Sequence, residues 1–158
     1  MKYGSFKYGE MPYGDARYPE WWDETVTVFN RYEDDATGLV TWYSKVLRHC
    51  FWKCVNNQHT ANNTVADASS VTVRIPQSGR FKLPYEWNGL ANKENYFTFN
   101  TGDIIISGEV SETIDEYTAG IRSADILSKY SGCCMTVQTS NVNIHSGVGL
   151  PHYHITGG

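Results

Sequence analysis

Charge is scarce in this chain. Of its 158 residues only 19% are Asp, Glu, Lys or Arg, with a formal net charge of -4 and a pI of about 5.7. That balance argues against a basic face built to neutralise nucleic-acid phosphates, though not against a surface that DNA merely passes. Long apolar runs are missing too. Nothing follows Met1 that resembles a secretory leader, and no stretch is long enough to span a bilayer, so the expectation is a protein made in a cytosol-like space with no membrane partner. Cysteine is sparse: Cys50 and Cys54 sit four apart in a strand-like run, and Cys133 and Cys134 are adjacent. No CxxC pair exists, so buried free thiols are expected rather than a zinc site. A nucleophile elbow of the Gly-x-Ser-x-Gly kind and both standard phosphate loops are likewise missing. The carboxylate pairs Asp34-Asp35 and Asp115-Glu116 fall in turn-like, solvated sequence. These absences leave no active site and no cofactor to expect, and the chain reads as non-enzymatic.

What is present is aromatic and β-forming. Hydrophobic residues make up 41% of the chain and aromatics 14%, including 11 Tyr and 5 Trp. Tyr and Trp favour strands, and they also favour surfaces where proteins meet. One domain is expected at this length, large enough to need neither disulfides nor metal.

The N-terminus is an internal repeat. In fives it runs MKYGS, FKYGE, MPYGD, ARYPE, placing Tyr3, Tyr8, Tyr13 and Tyr18 in one slot. A period of five fits neither helix nor strand, and a Gly or Pro in each unit rules out a helix. Residues 1–22 are therefore expected to form an extended arm whose tyrosines need another surface to bury against.

From residue 23 to 158 the pattern is a single β domain. Strands are predicted at Thr25–Phe29, Leu39–Tyr43, Val46–Val55, Val71–Ile75, Cys134–Thr139 and Pro151–Thr156. Val26 and Val28 share one face, as do Leu47, Phe51 and Val55. Arg31–Gly38 and Asn141–Gly149 read as polar turns. Phe81–Trp87 reads as a short extended piece, and Tyr96–Phe99 with Asp103–Ile106 as a hairpin around Asn100–Gly102. One helix is predicted, with Ser123 as cap and Ala124–Tyr130 as body. Asn56–Ser70 is a long loop or a mobile hairpin with Asn56, Asn57, His59, Asn62, Asn63 and Asp67 along it; loops of this length are commonly functional. Asn62-Asn63-Thr64 is a glycosylation sequon only in a secreted protein. Many short strands with one short helix predict a small β-barrel or sandwich. Within it, His152 and His154 share a strand face as metal ligands do. His49, His59 and His145 are scattered and supply no grouped partners.

Several segments, in this order, resemble the small head-completion or head–tail connector proteins of long-tailed bacteriophages of Gram-positive hosts. They are Val71-Thr72-Val73-Arg74-Ile75-Pro76, Phe97 through Ile105, Gly108-Glu109-Val110, the helix from Ser123 to Tyr130, and the ending from Leu150 to Gly157. The resemblance runs from about Thr25 to the C-terminus. It implies a stopper-like virion protein of the neck: copies of one chain in a ring around the DNA channel, meeting portal or adaptor proteins on one side and tail proteins on the other. The 56–70 segment is then the candidate channel or gating element, and the Tyr arm the intersubunit tether. A minor capsid, tail-completion or tail-terminator role is compatible with the same resemblance. The alternatives from other classes are a metal-dependent barrel enzyme using His152 and His154, and a carbohydrate-binding module.

Overall fold

A computed structural model describes residues 19–61, 64–143 and 151–158; side chains are described outside 56–61 and 64–69. Six strands form a closed antiparallel barrel: β1 (Glu24–Glu33), β2 (Val40–Ala61), β3 (Thr64–Pro76), β4 (Ile104–Ser107), β5 (Cys134–Asn143) and β6 (His152–Gly157). Their order around the wall is β1-β2-β3-β6-β5-β4. The predicted small barrel is the observed fold.

Two strands change partners midway, and that is how the sheet closes. β2 pairs with β1 as far as Glu24↔Cys50 and with β3 from Phe51↔Arg74 onward. β5 pairs with β4 over 134–136 and with β6 from Val137. Each change of partner is marked by a bulge, the usual device for turning a sheet corner. On β2 the register slips between Val26↔Leu47 and Glu24↔Cys50. His49 lies there at φ 61, the only non-glycine with positive φ among the described residues. On β5 the slip falls between Val137 and Thr139.

The β2 bulge corrects a sequence-based expectation. A regular strand would place Leu47, Phe51 and Val55 on one face. The extra residue switches the phase, so Leu47 packs on the core before the bulge and Cys50 and Trp52 after it. Cys50 is the one fully buried thiol; Cys54 is exposed, and Cys133 and Cys134 are half-buried. Burial pushes the Cys50 thiol up to about 12.

The β1–β4 wall is buried on both sides. Val26, Val28 and Ile105 face the barrel interior with Val73, Met135, Val137 and Ile155. Phe29, Ile104 and Ile106 face outward and are covered by Val110, Ile114 and Ile126, the last on helix α2 (Ser123–Lys129). This double cover explains the unbroken Ile104-Ile105-Ile106 run.

Those residues do not form the expected hairpin with Tyr96–Phe99. β4 pairs with β1 and β5 instead, and Phe97 and Phe99 join Phe81 and Tyr153 in an aromatic cluster within the barrel core. Phe81 stacks on Tyr153 at 4.2 Å, and Phe97 meets Phe99 edge-on at 5.5 Å.

Other boundaries shift for local reasons. β1 runs through Arg31, Tyr32 and Glu33 because each pairs with β2. The polar turn shrinks to a loop held by Asp34, whose Oδ1 accepts from Ala36 N at 2.8 Å. The two strands predicted at 39–55 are one strand. Phe81–Trp87 is not extended throughout: Pro84 opens a second short helix, α1 (Pro84–Asn88), as proline at a first turn favours, and Trp87 is buried on it. In α2, Ser123 is the first helical residue and Arg122 the cap, with Arg122 N donating to Asp125 Oδ2 at 3.2 Å. Residues 141–143 belong to β5, not to a turn; 144–150 lie outside the described residues.

At the β5 corner, Gly157 is wedged between β3 and β5. A Cβ there would meet Thr136 O at 2.0 Å and Met135 Cε at 2.7 Å, so only glycine fits.

The same corner is stitched by a buried polar cluster. Asp103 N–H and carbonyl belong to the Asn100–Asp103 turn and to β5: Val137 N donates to Asp103 O at 2.8 Å, and Gly102 N to Val137 O at 3.0 Å. The Asp103 carboxylate accepts from Asn30 Nδ2 at 2.9 Å, Arg31 N at 3.0 Å and Asn100 N at 2.8 Å. Asn30 Nδ2 also donates to Thr98 O at 2.5 Å, and Asn30 Oδ1 accepts from Thr98 N at 3.3 Å. Asp103 and Asn30 are each about 1% exposed. Burial raises the Asp103 pKa to about 6, outweighing the donors that pull it down.

Because this folded-state value lies above the ordinary 3.8, the folded chain binds the proton more tightly, and the Asp103 contribution to stability falls as pH rises from about 4 to 6. Asp103→Asn should cost about 1–3 kcal/mol, since one donor loses its acceptor. It should also remove that pH dependence, so that the wild-type advantage in urea unfolding is largest near pH 4 and smaller at pH 7. An advantage that grows toward pH 7 would refute the assignment.

Candidate functional site

Beyond the barrel wall, β2 and β3 continue as a two-stranded ribbon. β3 gains β6 only from Val71↔Gly157, and β2 has left β1 by Cys50. The register nevertheless runs on from Asn56↔Ser69 to Ala61↔Thr64. Six residue pairs at ~3.3 Å each give a projection of roughly 20 Å. Among the described residues neither edge of this ribbon has a further strand. The segment expected as a long loop is thus a hairpin, the second of the two forms weighed for it. Asn56, Asn57, His59 and Asp67 occupy paired positions on it; Asn62 and Asn63 lie outside the described residues. No Lys or Arg occurs from 56 to 70.

The ribbon rises from the wall that carries both candidate histidines. β6 alternates, with Tyr153, Ile155 and Gly157 buried and His152, His154 and Thr156 half-exposed on the outer face. Registers across β2, β3, β6 and β5 align Phe51, Arg74, His154 and Asn141 in one row. Pro76, His152 and Asn143 form the next. Arg74 lies over the Phe51 ring at 5.3 Å, and the two imidazoles are 6.4 Å apart. Burial first, then the charge of Arg74 and the neighbouring His152, hold the His154 pKa below the usual 6.5.

This is poor ground for a metal. A structural zinc takes four ligands and a catalytic one at least three. Among the described residues no three His, Cys, Asp or Glu side chains gather in a ligating group, and the residue between the histidines and β2 is a cation.

The root of the N-terminal arm covers part of this face. Trp22 is 6% exposed, 5.9 Å edge-on from His152 and 6.5 Å from Phe51. The preceding Trp21 is 64% exposed. Trp22 thus packs on the barrel wall. Tyr3, Tyr8, Tyr13 and Tyr18 lie outside the described residues. The exposed rings among the described residues, Trp21, Tyr85 and Tyr117, come from three separate segments, so they do not make the coplanar row a carbohydrate-binding sheet face would present. No helix among the described residues is long and apolar enough to cross a membrane.

Sequence reasoning found the histidine pair through its period of two. It missed Arg74, Phe51 and Trp22, because only cross-strand register brings them beside that pair.

Residues 21–158 match a family described as a family of unknown function, DUF6751, and the chain belongs to it. No curated protein and no solved structure matches.

A depressed histidine pKa means that the unfolded chain takes up the proton first, so this group's contribution to stability is present above about 6.5 and is lost as pH falls below it. In an NMR titration His154 should titrate below 6.5, and Arg74→Gln should shift it upward. An unchanged midpoint in Arg74→Gln would show that Arg74 does not act on it.

Proposed function

We propose that this member of the family is a structural component of the bacteriophage neck, a stopper-like head–tail connector. Copies of the chain form a ring around the DNA channel, with portal or adaptor proteins on one side and tail proteins on the other, and the protein acts in the virion rather than as an enzyme. The reading rests first on the ordered resemblance from Thr25 to the C-terminus. The structural observation that supports it best is the ribbon: a closed barrel hides its own edges, yet here two strands run six pairs past the wall with no third strand among the described residues.

A lone two-stranded hairpin is marginal in water. A ring supplies what it lacks, either neighbouring ribbons or a surface of the next subunit. The absence of Lys and Arg from 56 to 70 suits a segment facing a channel, where attraction to phosphate would hinder passage of DNA. The regularly spaced tyrosines suit an arm that fills pockets on a neighbour, aromatic anchors being the side chains that dominate such contacts.

Light scattering on the full chain, alone and mixed with its neck partners, tests the reading. A closed ring should form, and removal of residues 1–18 should weaken its assembly at least tenfold while leaving the barrel folded. A chain that stays monomeric at all concentrations with its partners present would overturn the proposal.

A further inference from the structure

The barrel corner at His49 opens onto a cleft of about 270 Å³, whose lining includes Arg48, His49, Gln77, Ser78 and Arg80. A second cleft shares Arg80 and adds Lys45. Among the described residues no Asp or Glu lines either cleft, although the chain as a whole carries a net charge of -4. We propose that this corner is a binding site for a phosphate group. The inference does not depend on the neck reading, and it adds a ligand that the reading does not call for.

The geometry of the bulge is the first reason. In a regular strand Arg48 and His49 would point to opposite faces. Around the bulge, where His49 sits at φ 61, the consecutive residues Val46 to His49 all line the cleft. A left-handed conformation at a non-glycine residue costs about 1–3 kcal/mol and is typically found where function uses it.

The second reason is the state of the cations. Arg80 is exposed and makes no ion pair among the described residues. Among the described residues Arg48 has only Glu109 as an ion-pair partner, at 3.4 Å, with both side chains about 60% exposed. Such a pair contributes little and yields readily to a competing anion. Lys45 Nζ donates to the Glu94 carbonyl, a neutral partner rather than a carboxylate.

The third reason is the donor set. The two arginines that line the cleft come from different elements, β2 and the 77–80 loop. Ser78 Oγ already accepts from Arg80 N at 3.2 Å, which leaves its O–H to donate. The Gln77 amide adds further donors. A carboxylate offers two oxygens in one plane, whereas a phosphate presents oxygens in several directions and suits donors supplied by separate elements.

Free phosphate and the backbone of a nucleic acid share this chemistry, and two probes separate them. Inorganic phosphate, titrated into the isotope-labelled full chain, should shift the amide signals of His49, Gly79 and Arg80 saturably. Arg80→Ala should weaken that binding at least tenfold with no change in melting temperature, the side chain being exposed. Arg122→Ala, which removes the same charge from the cap of α2, should leave it intact. A 12-base-pair DNA duplex that displaces phosphate from the same signals identifies nucleic acid as the source; a duplex without effect identifies free phosphate. No saturable shift with either probe, or equal weakening by Arg122→Ala, overturns the site.

Discussion

Closure of this six-stranded barrel rests on two strands that leave one neighbour and join another. The whole molecule depends on that constraint. β2 and β5 make the change, and each carries an extra residue where it happens. At the β2 corner the strain falls on His49, held at φ 61. At the β5 corner it is met differently, by a glycine with no room for a Cβ and by the Asn30–Asp103 cluster that ties β1, the Asn100–Asp103 turn and β5 together. Three N–H donors on one buried carboxylate make this cluster directional where the surrounding aliphatic core is not, so it fixes which residues meet at closure.

The corners also determine what the outside looks like. Because β2 turns at residue 49, its second half is free to run with β3 past the wall. The ribbon continues β2 and β3 beyond that corner. The same turn brings Arg48 and His49 to one cleft and carries Phe51 toward Arg74 and the histidines. Trp22 then packs across Phe51 and His152, on the wall from which the ribbon rises.

Legibility in the sequence followed the range of the interactions. The β class, the inward Val26 and Val28, the deep burial of Ile104–Ile106 and the helix near residue 123 could be read locally, because period and composition report burial. What could not be read depends on partners far along the chain. Leu47 and Phe51 were assigned to one face because a bulge leaves no mark in the alternation of apolar residues. Arg31–Glu33 looked like a turn until β2 paired with it. Tyr96–Phe99 has strand composition, but its rings are used to fill the barrel core. The histidine pair was visible, while the cation and aromatic rings around it were not, since Arg74, Phe51 and Trp22 come from three other segments.

The proposed neck role draws on the closed barrel and on the paired ribbon beyond it. The most direct measurement of this account is amide hydrogen exchange along 56–61 and 64–69, in the isolated chain and in the assembled state. The account predicts exchange much faster in the ribbon than in β1 and β4 for the isolated chain, and strong protection on assembly, as for any strand pair that gains its missing neighbours. A ribbon as protected in isolation as the barrel, or one that gains nothing on assembly, would contradict it.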